Sequence, residues 1–329
     1  MSITMMYLGS RTVLGACLVE GILASTSNHP EMQLLGILLA VCVAAASAAP
    51  LRQNTVSIPS HFSRIVVFGD SLVDNGNGTW ELTNHTWPGD KAYFNGRFSN
   101  GPTWVERLAD KLGVPCVSDM AFGGATLNNT RAQGYTGYDS NISVPDVIGQ
   151  VHAHLDKYGA DPDALYIVSG GSNDLYFGLQ KAANVTEFGE AIASDIEFAN
   201  QVLVRAGARH IAVPTLIPSS KSPYGVRLDK KMHALQVQCI DSFNEALKCD
   251  VSRNITVIDL YAIADDIFSC PERYGIHVTS EACLQGTLKP EKGPRRECRH
   301  PERYAYWDLY HPTARMHELF AQSAVHVFK

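Results

Sequence analysis

Basic charge is scarce in this sequence. Lys and Arg together number 27 against 33 Asp and Glu in 329 residues, and the formal net charge is −6. No basic cluster offsets that balance, and Arg295-Arg296 reads as a lone solvated pair in a loop. Such a chain is not suited to nucleic acid or to an anionic membrane surface. Several site spacings are missing too. No C-x-x-C or His/Cys cluster has zinc spacing. His317-Glu318 lacks the second histidine of a zinc protease, since Ala321 stands at that position. Asp70, Asp74, Asn75 and Gly76 have the wrong spacing for a calcium loop, and no glutamate closes it. Gly76-Asn77-Gly78 lacks the third glycine of a dinucleotide fingerprint. Neither metal nor cofactor is therefore expected. No internal repeat or low-complexity linker divides the chain, so residues 60–329 read as a single domain.

The one long apolar run, 34–49, is short of the roughly twenty residues that a spanning helix needs. It ends in Ala46-Ser47-Ala48, which fits the small-x-small cleavage rule, with Pro50 just beyond. Residues 1–48 thus read as an N-terminal extension plus a secretory signal peptide, with Met32 as an alternative start. The nearest cation is Arg11, which departs from the usual leader, and an uncleaved anchor is the alternative. Secretion without stable membrane insertion is expected. N-x-[ST] sequons at Asn77, Asn84, Asn128, Asn141, Asn184 and Asn254 suit a secreted glycoprotein. Beyond the leader stand Cys116, Cys239, Cys249, Cys270, Cys283 and Cys298, an even number that suggests disulfides outside the cell. Cys239 and Cys249 are ten apart in a helical stretch, about 15 Å of rise, and cannot pair with each other. Cys283 and Cys298 flank a Gly/Pro/Lys loop and are the first choice of pair.

Short runs rich in Val and Ile, apolar on both faces, predict parallel strands over 64–68, 114–119, 164–169, 210–216 and 254–260. Amphipathic stretches predict helices over 101–112, 144–158, 187–206, 229–251 and 312–327. The alternation gives a doubly wound α/β fold, with 269–303 as a loop-rich, disulfide-tied insertion. In such sheets, sites form beyond the carboxyl ends of the strands. Gly69-Asp70-Ser71 follows the first strand, Gly123-Gly124-Ala125-Thr126 the second, and Gly171-Ser172-Asn173-Asp174 the third. Asp308-Leu309-Tyr310-His311 precedes the last helix, with Pro312 read at its first position. Asp308 can accept a hydrogen bond from one nitrogen of His311 and leave the other for a serine hydroxyl, the logic of a Ser-His-Asp triad. Glycine N–H groups and an asparagine amide supply oxyanion donors.

These four blocks, in this order, resemble the GDSL or SGNH hydrolases. The resemblance spans most of the chain beyond the leader. It implies a three-layer α/β/α sandwich of flavodoxin-like type with a five-stranded parallel sheet. It implies Ser71 as nucleophile, His311 as general base and Asp308 as its orienter. It implies an oxyanion hole of Ser71 N–H, Gly124 N–H and the Asn173 amide, with Gly123 able to replace Gly124. The segment Asn95-Gly96-Arg97-Phe98-Ser99-Asn100-Gly101-Pro102-Thr103-Trp104-Val105-Glu106 is similar to the secreted fungal and plant branch. That branch includes acetylesterases of carbohydrate esterase family 16. The expectation is a monomeric serine esterase acting on small acyl esters, acetyl groups on an oligosaccharide first. A lipase or phospholipase with longer acyl chains is the alternative, and a non-catalytic wall-binding protein is the alternative of another class. Trp80, Trp87, Tyr93 and Phe94 are candidates to stack on sugar or line an acyl pocket, against ordinary loop packing. Asp74 reads as a turn carboxylate, Asp174 as a helix cap, and His152 and His154 as helix surface.

Overall fold

Ile65, Val66, Val67 and Phe68 are completely buried, as residues of a strand covered on both faces must be. They form β1 (Ile65–Phe68) in the computed structural model, which describes residues 61–137, 140–249, 255–286 and 295–328. Four parallel strands join it: β2 (Val117–Asp119), β3 (Leu165–Val168), β4 (His210–Pro214) and β5 (Ile255–Ile258). The sheet order is β2-β1-β3-β4-β5, the flavodoxin-like order. Each strand lies inside the stretch its sequence predicts and is trimmed at the ends. Leu165 to Val168 sit opposite Ile65 to Phe68 without a slip, so the chain leaves β1 and β3 side by side at the switch point of the sheet. The predicted leader, its predicted cleavage site and the Asn254 sequon position lie outside the described residues.

The helices in chain order are α1 (Thr79–Leu82), α2 (Trp104–Leu112), α3 (Val147–Tyr158) and α4 (Ser172–Gly178). They continue with α5 (Val185–Ala206), α6 (Lys230–Cys249), α7 (Leu260–Ser269) and α8 (Ala314–Val325). Successive strand side chains point to opposite faces. Ile65 and Val67 therefore enter one core with Trp104, Leu108, Ile267 and Phe320 from α2, α7 and α8. Val66 and Phe68 enter the other with Val151, Ile196, Leu203 and Phe243 from α3, α5 and α6. The result is the three-layer sandwich.

Local chemistry starts and stops these helices. Thr103 and Glu106 form a capping box at the start of α2, and Gly113 ends it at φ +68°. Asn184 caps α5 through the N–H groups of Thr186 and Glu187. Thr313 caps α8, so Pro312 lies one residue outside the helix rather than at its first position. The sequence does not announce α7. Asp259 caps it one residue after β5, with no glycine or proline between, so strand and helix read as one apolar run.

The segment after α7 is less irregular than its composition suggests. β6 (Val278–Ala282) pairs in parallel with a later strand, Tyr304–Tyr306, and β7 (Leu284–Gln285) pairs antiparallel with β8 (Arg296–Glu297). The Tyr304–Tyr306 strand is β9. Cys283 and Cys298 are bonded, with Cα atoms 4.9 Å apart. Among the described residues Cys116, Cys239, Cys249 and Cys270 are unpaired, and one bridge is present where an even set suggested more. The asparagines of the sequons at 77, 84, 141 and 184 are exposed, while the Asn128 amide is half-buried and donates to Asp195 at 3.1 Å.

Two histidines are structural. His154 does not face solvent as His152 does; it packs edge-on against Phe68 and Tyr166, and burial lowers its pKa. His317 is buried on α8, and its Nδ1 accepts the Trp104 N–H at the start of α2, at 3.1 Å. Burial, with the Arg107 and His311 charges behind it, drops its pKa to about 3. The unfolded chain therefore takes up a proton below about pH 6.5 that the folded chain refuses. Its contribution to stability is present above that pH and is lost as pH falls toward 3. In His317→Gln, the fall in Tm between pH 7 and pH 4 is expected to be smaller than in the parent, measured by scanning calorimetry; an unchanged fall would contradict this.

Candidate active site

β1 ends at Phe68, and the next residue must turn under a crowded roof. A Cβ at Gly69 would stand 2.5 Å from Val73 Cγ2 and 2.9 Å from the Ser169 carbonyl, so only glycine fits. Gln150, buried on α3, fixes this turn. Its Oε1 accepts the Gly69 N–H at 2.8 Å, and its Nε2 donates to the Gly69 carbonyl at 3.0 Å. Asp70 is buried beneath, its Oδ1 accepting the Leu72 N–H at 3.0 Å. Burial raises its carboxyl to about 6. Ser71 is thereby presented, half-buried, at the rim of the sheet.

The loop between β9 and α8 brings the next groups. It closes on itself through Trp307 N–H to the His311 carbonyl, at 2.7 Å. The 95–106 segment anchors its far side: Ser99 Oγ donates to the Pro312 carbonyl at 2.8 Å, and Asn100 Oδ1 accepts the Ala314 N–H at 2.7 Å. Asp308 is 2% exposed, and Oδ1 accepts the N–H groups of Tyr310 and His311, each at 2.8 Å. His311 Nδ1 lies 2.8 Å from Asp308 Oδ2, and its Nε2 lies 2.9 Å from Ser71 Oγ. Burial pushes the Asp308 carboxyl up. The neighbouring His311, with the hydrogen bonds from His311, the Tyr93 hydroxyl and the Tyr310 N–H, outweighs it and holds the group below the ordinary carboxylate range. The structure thus joins Ser71, His311 and Asp308 in one hydrogen-bonded chain.

Ser71, Gly124 and Asn173 line one cleft beside that chain. The backbone N–H groups of Ser71 and Gly124 donate to no other backbone group among the described residues. The Gly123 N–H, in contrast, is held by Asp74 Oδ2 at 2.9 Å, and Gly123 does not line the cleft. Of the two adjoining glycines, Gly124 is the one that lines the cleft and whose N–H is not taken by Asp74. Gly124 also has φ +92°, and a Cβ there would sit 1.9 Å from the Tyr135 carbonyl. The Asn173 amide is steered by donation to the Ala125 carbonyl at 2.9 Å. Asp74 holds the N–H groups of Gly76, Gly78 and Thr79 as a turn carboxylate should, and adds Gly123. Asp174 is not a helix cap: it is buried, its Oδ2 accepts the Leu127 N–H at 3.0 Å, and burial raises it to about 8. Both carboxyl groups thus tie the glycine block to its neighbours.

The cleft holds about 1290 Å³, the open space at its mouth included. Trp87, Phe98, Tyr135, Tyr176, Phe177, Tyr224 and Tyr310 line it together with Leu175, Leu179, Ile217, Leu228 and Met232. Of the four aromatics expected to meet substrate, Trp87 and Tyr93 border the cleft, but the Tyr93 hydroxyl is engaged by Asp308. Trp80 and Phe94 do not border it. Trp80 stacks on His85 at 3.9 Å and is pressed against Gly96, while Phe94 lies under the Arg97 guanidinium at 5.4 Å. Among the described residues no group of His, Cys, Asp and Glu could hold a metal ion, and no helix is long and apolar enough to cross a membrane.

A family model described as GDSL-like Lipase/Acylhydrolase matches residues 65–324. The chain belongs to this family of ester-bond hydrolases. The thermolabile hemolysin of Vibrio parahaemolyticus is 26% identical over 279 residues, spanning 80% of this chain and 63% of its own length. A phosphatidylcholine-sterol acyltransferase of Aeromonas hydrophila is 28% identical over 261 residues, spanning 77% of this chain and 72% of its own. A lipolytic G-D-S-L family protein of Veillonella parvula superposes with a TM-score of 0.43 at 16% identity, covering 80% of this chain and 97% of that one.

Gln150 is the site's less visible support, since no motif flags a glutamine on a helix face. Gln150→Leu would leave the buried Gly69 N–H and carbonyl without partners, each costing about 1–3 kcal/mol. The variant is expected to lose several degrees of Tm and to lose turnover through a displaced Ser71, checked by thermal melting and ester hydrolysis; parental Tm and rate would contradict this.

Proposed function

We propose that the protein is a serine esterase that works through an acyl-enzyme and takes acyl groups longer than acetyl into its apolar cleft. The observation that carries the chemistry is the Ser71 Oγ to His311 Nε2 contact of 2.9 Å at the mouth of that cleft. His311 Nε2 takes the hydroxyl proton as Ser71 Oγ attacks the ester carbonyl carbon. Asp308 holds the ring in place and balances the imidazolium that forms. The carbonyl oxygen, now an anion, receives hydrogen bonds from Ser71 N–H, Gly124 N–H and the Asn173 amide. His311 then gives its proton to the departing alcohol. Water attacks the acyl-enzyme with His311 again as base, and the acid leaves.

The lining supports the acyl preference. Among the described residues Asp308 and His311 are the only charged or titratable members beside tyrosines; aromatic and aliphatic side chains predominate, and Thr136, Gln180, Ser219, Ser222 and Gln236 add uncharged polar groups. A sugar presents many hydroxyls, each of which needs a partner on burial. Two relatives bear names tied to membranes or lipid, a hemolysin and a phosphatidylcholine-sterol acyltransferase. These points favour the longer-chain alternative over acetyl groups on carbohydrate. The Cys283–Cys298 bridge and the exposed sequon asparagines support a secreted enzyme.

With nitrophenyl esters, kcat/KM is expected to rise from acetate through butyrate to octanoate. A maximum at acetate, together with turnover of acetylated xylo-oligosaccharides, would return the reading to the acetylesterases. Ser71→Ala is expected to lose roughly 10⁴-fold or more in kcat, and Asn173→Ala roughly 10²–10³-fold. Unchanged turnover in Ser71→Ala would support a non-catalytic site and defeat the mechanism.

A further inference from the structure

Behind Asp308, away from Ser71, lies a buried pair that bond cleavage itself does not call for. The Tyr93 hydroxyl donates to Asp308 Oδ2 at 2.6 Å, and Arg295 Nη1 donates to the Tyr93 hydroxyl oxygen at 2.9 Å. Arg295 is not the solvated loop residue its sequence suggests: its side chain is 5% exposed. Its guanidinium lies 5.5 Å from the centre of the Tyr93 ring, and Nε is 3.9 Å from Asp90. Ordering and burying an arginine is costly unless its charge is matched. Arg295 immediately precedes β8, in the hairpin that the Cys283–Cys298 bridge closes. That hairpin is fastened to the strand leading to Asp308. Cys283 N–H donates to the Tyr306 carbonyl at 3.0 Å and Leu284 N–H to the Trp307 carbonyl at 2.7 Å. Tyr93, Cys283, Leu284 and Trp307 make a small apolar core of their own.

We propose that Tyr93 and Arg295 are positioning residues that act on His311 through Asp308, and that the disulfide-tied hairpin holds Arg295 in that role. The inference rests on the assignment of Ser71, His311 and Asp308 above. Two backbone N–H groups fix Oδ1 of Asp308, and the Tyr93 hydroxyl fixes Oδ2, so the carboxylate plane cannot swing away from Nδ1. Burial and the Asp308 charge push the Tyr93 phenol well above its ordinary range, which keeps it a donor. Arg295 polarises that donor, and the pair draws negative charge from the carboxylate face that His311 meets.

The titratable groups around His311 are Asp308 and Tyr310 on its own loop, Asp70 after β1 and His317 on α8. Behind Asp308 stand Tyr93, Arg295 and Asp90. Removing the Tyr93 hydroxyl or the Arg295 charge leaves more of the Asp308 charge facing His311, which then keeps its proton to higher pH. Tyr93→Phe is expected to lower kcat roughly ten- to hundredfold, the worth of one hydrogen bond to a charged group, with little change in KM. The acid limb of its kcat/KM profile is expected to move to higher pH. Arg295→Gln and the Cys283→Ser/Cys298→Ser double variant move the limb the same way, and Arg295→Lys, which keeps the charge, brings the limb most of the way back to its parental position. A fall in kcat with the limb unmoved would mean packing alone and overturns the proposal, as would parental kcat in Tyr93→Phe. Ser71→Ala, run beside them, separates the two claims: its loss of turnover with an unaltered Tyr93→Phe profile sinks only this proposal, whereas its survival sinks the assignment of the site.

Discussion

A carboxylate that is both buried and charged is the constraint on which this site depends. An ionised group taken out of water is costly unless every lone pair is met. At Asp308 they are met by Tyr310 N–H, His311 N–H, the His311 ring and the Tyr93 hydroxyl. Each partner comes from a different structural decision. The backbone N–H groups require the tight loop after β9, the ring requires Pro312 and Thr313 to start α8 where they do, and Tyr93 requires the long segment after Ser71 to fold back under the loop. Loosening any of them leaves the charge under-satisfied, so the geometry of His311 and the cost of the buried charge are one problem.

The turns after β1 and β2 use the same device. Asp74 collects N–H groups from the turn after Ser71 and from Gly123, and Asp174 reaches from α4 to Leu127. Gln150 does the same for Gly69 with an uncharged amide. Buried side chains thereby tie the strand ends to one another. The N–H groups of Ser71 and Gly124 and the Asn173 amide, proposed as the oxyanion donors, are thus held in place in advance, the arrangement that costs no reorganisation during reaction.

Much of this was legible because it is local. Strand cores such as Ile65-Val66-Val67 are apolar on both faces, and the blocks carrying Ser71, Gly124, Asn173 and His311 sit where a parallel sheet puts its sites. What was hidden is non-local. Tyr93 and Asp308 are 215 residues apart, and nothing around either marks the other. Arg295 sits in a stretch of charged and loop-forming residues, so its burial shows only once the hairpin closes over Tyr93. Trp80 and Phe94 have the composition of a binding loop, yet each is occupied by a neighbour in that loop. His154 looks in sequence like its helix-mate His152, yet it packs on Phe68 and Tyr166 in space. The aromatic wall of the cleft gathers Tyr135, Tyr176, Tyr224 and Tyr310 from four loops or helices and has no linear signature.

The central claim is that Ser71, activated by His311, is the group that attacks. Intact-protein and peptide mass spectrometry after treatment with a fluorophosphonate ester tests it directly. A single phosphonyl adduct on the peptide carrying Ser71, formed at a rate that falls sharply in His311→Gln, is the result predicted. An adduct on another residue, or none under conditions where esters are turned over, would contradict it.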